Sequence, residues 1–132
     1  MSEGRHPGRI HDGFLPGRHG IDAYGNGGFR FGQMSHRGSI LLLPSGVSAW
    51  GVAAPADIDG RSLAPVLAEA GGIELLLIGT GADIVFLPDP LRQRLKAAGI
   101  GVDAMQTGAA VRTYNILMAE NRKVAAALIA VP

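Results

Sequence analysis

Cysteine is absent from this 132-residue chain, which excludes a disulfide scaffold, a thiolate zinc site and a cysteine nucleophile together. Aromatic residues supply only 5% of it and charged residues 17%, and no apolar run approaches the roughly 20 residues that span a bilayer. The longest such run, Val124–Val131, has the length of a strand. Charge of one sign is also lacking. Twelve Lys+Arg against eleven Asp+Glu leave a formal +1, too weak a field to recruit nucleic acid or an acidic membrane surface. The front of the chain carries basic residues without the apolar stretch of a secretory signal. Glu3, Asp12 and Pro7 also spoil an amphipathic transit helix, so a cytoplasmic protein is the expectation.

What is present is globular composition, 47% hydrophobic over a length that fits one domain. Residues 1–20 mix Gly, Pro, Arg and His with no hydrophobic period and read as a flexible tail, leaving residues 21–132 as a single α/β domain. Up to residue 40, five arginines (Arg5, Arg9, Arg18, Arg30, Arg37) outnumber Glu3, Asp12 and Asp22, for a local net of +2. All four histidines (His6, His11, His19, His36) lie in the same stretch, but none has the i, i+4 spacing of a helical metal motif. They read as solvated loop residues, and no metal is expected.

Alternation in Ile21–Tyr24 and Phe29–Phe31 around Gly25-Asn26-Gly27-Gly28 predicts a hairpin, because Asn-Gly adopts the positive φ of a tight turn. A second turn around Ser35–Ser39 leads into a buried strand, Ile40–Leu43, and Val47–Val52 is a short extended piece holding Trp50. Further along, Leu63, Val66, Leu67 and Ala70 mark one helical face, stopped by Gly71-Gly72. The unbroken apolar run Ile73–Ile78 predicts a strand buried on both faces. Ile84–Leu87 reads as short and extended; Asp89 as N-cap and Pro90 at N1 start a helix that runs to Ala98. Ile100, Val102 and Met105 mark another strand. Thr107 or Gly108 then opens the longest helix, with Ala110, Val111, Tyr114, Leu117 and Met118 as its buried stripe and Asn121 at its stop. Strands and helices alternating at this spacing require parallel pairing. The predicted fold is α/β, a layered arrangement with a parallel βαβ core in the central sheet and an N-terminal antiparallel hairpin region.

In open α/β sheets, ligands sit beyond the C-terminal ends of parallel strands. Two loops meet there: Gly79-Thr80-Gly81-Ala82-Asp83 and Met105-Gln106-Thr107-Gly108, the second running into a helix N-terminus whose free N–H groups attract anions. Arg112, one turn into that helix, leans toward the same corner. Gly79, Thr80, Gly81, Asp83, Thr107, Gly108 and Arg112 are therefore candidate residues for a phosphate or carboxylate. Structural roles account for each of them too: glycines for the turn, Thr107 as a cap, Arg112 paired with Asp83 or Glu120. A dinucleotide fingerprint fails, since Ile84 stands at the third glycine position and no helix follows. The Walker pattern is missing. Ser45, Ser48 and Ser62 have no nucleophile-elbow context, and Asp83, Asp89 and Asp103 have turn, cap or strand-end explanations. No complete catalytic set and no cofactor site is found, which leaves enzymatic activity undecided and disfavoured.

IDAYGNGGFRF, SILLLPSGVSAW, ELLLIGTGAD, the Met105–Thr107 stretch and AAVRTYNILMAENRKVAAALI occur in an order that resembles the MTH nine-three-eight-like family, domain of unknown function four-nine-eight. The resemblance covers about residues 20 to 132, matching family motif positions at Gly79, Thr80, Gly81, Met105, Thr107, Ala109, Arg112, Thr113, Asn115, Glu120 and Arg122. Asn121 stands where glycine is usual. The family includes the third mitochondrial NADH:ubiquinone oxidoreductase alpha-subcomplex assembly factor and an adipogenesis-associated protein. It implies a three-layer fold with a mixed central sheet, and a non-catalytic accessory role through protein partners in respiratory complex I assembly. The alternative from the residues themselves is a small-molecule anion binder, or an unrecognised enzyme, using the Gly79–Gly81/Thr107/Arg112 corner.

Overall fold

The structure, a computed structural model, describes residues 14–132. In chain order its strands are β1 Phe14–Pro16, β2 Ala23–Gly25, β3 Gly28–Phe31, β4 Met34–Arg37, β5 Ile40–Leu43 and β6 Gly46–Ala49. Helix α1 (Ala64–Ala68), β7 (Leu75–Gly79), α2 (Asp89–Ala97), β8 (Gly101–Met105), α3 (Thr107–Ala119) and β9 (Val124–Leu128) complete it, with short 3-10 turns at Pro55–Asp57 and Ala70–Gly72. Six strands form one sheet in the order β1-β6-β5-β9-β7-β8, and β2-β3-β4 form a second. β7 pairs in parallel with both β8 and β9, whereas the β5, β6 and β1 side is antiparallel, so the central sheet is mixed.

Period-two alternation divides the central strands between two cores. Leu41, Leu43, Leu76, Ile78, Ala125 and Ala127 face the layer of α1 and α2, where Leu63, Val66, Leu91 and Leu95 cover them. Ile40, Leu42, Leu77, Val124, Ala126 and Leu128 face α3 and the small sheet, meeting Ala110, Val111, Tyr114, Phe29 and Phe31. Both faces are dry, which is why these strands read as continuous apolar runs. Three layers result, as expected.

The hairpin turn is Asn26-Gly27, with φ of 54° and 79°, both central residues left-handed as a type I′ turn requires. The expected turn around Ser35–Ser39 is replaced by a second tight turn, Gly32-Gln33 (φ 53° and 65°), and Met34–Arg37 is a strand. Its Met, Ser and His are only half-buried, so the strand lacked an alternating signature, and His36 is a strand residue rather than a loop histidine. Within the stretch 1–20, expected as a tail, the described residues meet the sheet. Phe14–Pro16 forms the edge strand β1 on β6, and the Arg18 guanidinium donates to the Arg122 carbonyl at 3.0 Å. Three residues at an edge carry too little pattern to be seen, and Pro16 suits an edge position. Residues 1–13, with His6 and His11, lie outside the described residues.

No strand forms at Ile84–Leu87, and Pro88 rather than Asp89 is the N-cap of α2, with Asp89 its first residue. Gln106, not Thr107, caps α3. The helix ends as expected: Asn121 takes φ 60°, the Arg122 N–H reaches the Leu117 carbonyl and the Asn121 N–H the Met118 carbonyl, each at 3.0 Å, a Schellman closure built on asparagine.

Asn115 joins the two parts of the α3 layer. Its amide oxygen accepts from the Ile21 N–H and its amide nitrogen donates to the Ile21 carbonyl, both at 2.8 Å, as a neighbouring strand would. Asn115→Ala leaves both backbone groups unpaired and is expected to cost about 1–3 kcal/mol, read as a lower urea midpoint. An unchanged midpoint would show that water replaces the clasp. His36 gives a pH signature. Burial lowers its pKa below the ordinary 6.5, partly offset by a backbone hydrogen bond at Ser39. The unfolded chain therefore binds that proton first, and stability should fall as pH drops through about 6.5. His36→Gln should flatten that part of the urea-midpoint profile between neutral and acid pH.

Candidate functional site

The two glycine-bearing loops do converge. β7 and β8 run side by side in parallel, with Gly79 opposite Met105, so Thr80 and Gly81 arrive beside the start of α3. Gly79 permits this approach: a Cβ there would lie 2.9 Å from Thr107 Oγ1 and 3.0 Å from Thr107 Cα.

The polar groups of the corner are engaged with each other. Thr107 is fully buried, and its hydroxyl accepts from the Gly81 N–H at 3.0 Å while donating to the Ile129 carbonyl at 2.7 Å. Its own N–H donates to the Gly81 carbonyl at 2.9 Å. The Thr80 N–H reaches the Met105 carbonyl at 2.8 Å, and the Ile129 N–H reaches the Gly79 carbonyl at 2.9 Å. The Thr80 hydroxyl shapes the next loop, donating to the Asp83 carbonyl at 2.6 Å and accepting from the Val85 N–H at 3.1 Å. Among the described residues no buried side-chain nitrogen or oxygen lacks a partner.

The remaining candidates sit around this knot. Gly108 is buried beneath Tyr24, whose hydroxyl occupies the space a Cβ at 108 would need. Tyr24 is thus laid across the first turn of α3 while staying 42% exposed. Of the three hairpin aromatics, Phe29 and Phe31 are buried and Tyr24 is not. A signal was available in the pattern of a tyrosine one residue before the Gly-Asn-Gly-Gly turn, where a phenol can be amphipathic. Arg112 is exposed, and among the described residues no hydrogen bond ties it to the corner, to Asp83 or to Glu120. The Asp83, Asp89 and Asp103 side chains are likewise exposed. No group of three or more acidic or histidine side chains able to hold a metal exists among the described residues.

Two hollows lie away from this corner. A hollow of about 440 Å³ is lined by residues of β2–β4, and a groove of about 330 Å³ runs between Ile58–Gly60 and Pro88–Arg94. Neither includes a residue of the Thr80–Thr107 corner. Three consecutive exposed apolar side chains belong to the loop that Thr80 shapes, Ile84 at 51%, Val85 at 41% and Phe86 at 70%, followed by buried Leu87 as an anchor; Phe14 and Ile116 are exposed singly elsewhere.

Thr107→Val keeps the shape and removes the hydroxyl, leaving the Gly81 N–H and the Ile129 carbonyl unpaired in a dry site. A loss of about 2–5 kcal/mol is expected from two stranded groups, while Thr107→Ser should retain most of the stability; thermal unfolding of both variants measures the difference.

Residues 21–129 match the family described as "Protein of unknown function (DUF498/DUF598)". The chain is similar to the crystal structure of an outer membrane protein from Bartonella henselae, at 52% identity and a TM-score of 0.86, covering 89% of this chain and 99% of that one. It is similar to a Bordetella pertussis Mth938-like domain solved by NMR, at 35% identity, TM-score 0.75 and 85% coverage of each. Among curated relatives, the NADH dehydrogenase [ubiquinone] 1 alpha subcomplex assembly factor 3 of Danio rerio is 35% identical over 112 residues, which are 85% of this chain and 64% of the relative. The chain therefore spans less than two thirds of that eukaryotic factor. With a family match over nearly all described residues and the three-layer fold in place, this protein belongs to the DUF498/DUF598, Mth938-like family.

Proposed function

We propose that this protein is a non-catalytic accessory factor in the assembly of respiratory complex I, cytoplasmic and acting through protein contacts. The similarity to complex I assembly factor 3 carries this reading. The state of the corner supports it: the Thr80, Gly81 and Thr107 N–H groups and the Thr107 hydroxyl are used to join β7, β8, β9 and α3. The contact surface is the Ile84-Val85-Phe86 loop. Three consecutive apolar side chains held out in water by a backbone that Thr80 fixes are unusual for an isolated domain and match the core of a protein interface. Its occupant is an apolar face of an unfinished complex I subunit or of a companion factor. No helix among the described residues is long and apolar enough to cross a membrane.

A second reading rests on exposed Arg112 one turn into α3: an anion, phosphate or carboxylate, or an unrecognised reaction at Gly79, Thr80, Gly81, Asp83, Thr107, Gly108 and Arg112. It would show as saturable amide shifts at Thr80, Gly81 and Thr107 on adding phosphate.

In the native cell, deletion of the gene is expected to lower membrane NADH:ubiquinone oxidoreductase activity and the amount of complete complex I on native gels. Re-expression of the wild-type chain should restore both. The Ile84→Ser/Phe86→Ser variant should fold with an unchanged melting temperature, because both side chains already face water, yet fail to restore assembly or to co-purify complex I subunits. Normal complex I in the deletion strain would refute the role, and full rescue by the double variant would refute the surface.

A further inference from the structure

The small sheet has an outer face that the proposed function leaves unused. Its register places Ala23, Arg30 and Ser35 on one rung and Gly25, Gly28 and Arg37 on the next, all on the side opposite the buried Phe29 and Phe31. The small residues make a floor without bulk, and the two arginines rise from it. Gly25, Gly28, Arg30, Ser35 and Arg37 of this face, with Asn26, Phe29 and His36, line the hollow of about 440 Å³, a size in the range of small-ligand sites. Arg30 and Arg37 are diagonal neighbours across β3 and β4, within reach of each other for side chains of this length. The Arg37 guanidinium folds back over the turn, 3.6 Å from the position a Cβ on Gly27 would take.

Among the described residues that line this hollow there is no carboxylate. Two like charges brought to one concave face repel, and a single acidic side chain would have relieved them. Gly28 cannot supply one: a Cβ there would collide with the His36 carbonyl. The lining also holds the Ser35 hydroxyl and, from the turn, the Asn26 amide as further donors. A ligand that neutralises the face must carry about two negative charges and several acceptor oxygens. A phosphate monoester does, with a charge of about −1.5 to −2 and three acceptor oxygens suited to guanidinium forks. A monocarboxylate leaves one guanidinium unmatched.

We infer that the outer face of the β2–β4 sheet is a binding site for a small phosphate monoester, held by Arg30 and Arg37 over the Gly25/Gly28 floor. The site is separate from the Thr80–Thr107 corner and from the Ile84–Phe86 loop. Its role is recognition, with no bond made or broken.

The test is an amide chemical-shift titration of the whole chain at about pH 7.5 and constant ionic strength, with inorganic phosphate, O-phosphoserine and acetate in separate arms. Saturable shifts at Gly25, Gly28, Ser35 and Arg37 are expected with both phosphates and not with acetate. Tighter binding of phosphoserine means the hollow reads more than the phosphoryl group; equal binding means the anion alone is recognised. Arg30→Gln and Arg37→Gln, both on the solvent side and leaving the spectrum dispersed, should each weaken phosphate about tenfold, and the double variant should abolish saturation. Absence of saturable shifts at these amides overturns the inference. So do equal responses to acetate, binding that survives the double variant, or shifts confined to Thr80, Gly81 and Thr107. Complex I assembly is not a readout here, so failure of this site and failure of the assembly role are distinguishable.

Discussion

One buried hydroxyl, that of Thr107, holds the C-terminal rim of the parallel core. It accepts from the β7 exit at Gly81, donates to the β9 exit at Ile129, and belongs to the first turn of α3. Three segments that only the tertiary fold brings together therefore share one oxygen atom in a dry environment, where a stranded partner is costly. Gly79 is a glycine because the helix start comes too close for a Cβ, and the absence of a Cβ at Gly108 lets the Tyr24 phenol lie on the helix start. A place where many α/β proteins bind an anion is here made into a joint.

That joint has a consequence for where interactions occur. With the strand-end donors committed to internal partners, what faces outward at this end is the loop that follows, shaped by the Thr80 hydroxyl and displaying Ile84, Val85 and Phe86. A rigid base with an apolar tip suits recognition of another protein surface better than chemistry on a small molecule. The same economy governs the α3 layer, where the Asn115 amide imitates a strand neighbour for Ile21 and so fixes the small sheet's entry onto the helix. The outer face of that sheet then remains open, with its two arginines unopposed by any carboxylate among the described lining residues.

The central sheet was readable because both faces are buried. Ile40–Leu43, Leu75–Gly79 and Val124–Leu128 are apolar at nearly every position, and a run of that kind between glycines has few other interpretations. The Asn26-Gly27 turn and the Asn121 helix stop were readable because each depends on the local tolerance of asparagine and glycine for positive φ. Strands β1 and β4 were not: one is a three-residue edge, the other a half-buried polar ribbon, and neither imposes a period. Capping is the role that local sequence suggests for Thr107, but Gln106 is the cap and the partners of the Thr107 hydroxyl lie 22 and 26 residues away.

The amino-acid sequence by itself determined the parallel core, the N-terminal hairpin and the convergence of the two glycine loops, because burial, chain reversal and crossover length act locally or through simple periodicity. It also carried the family resemblance. Only the tertiary structure decided which polar groups of the corner are spent internally, that Tyr24 lies over the helix start while Phe29 and Phe31 turn inward, and that Ile84–Phe86 stand in solvent. Those outcomes depend on which distant atoms come within hydrogen-bonding or van der Waals range, a matter of register and approach distance that no linear spacing encodes.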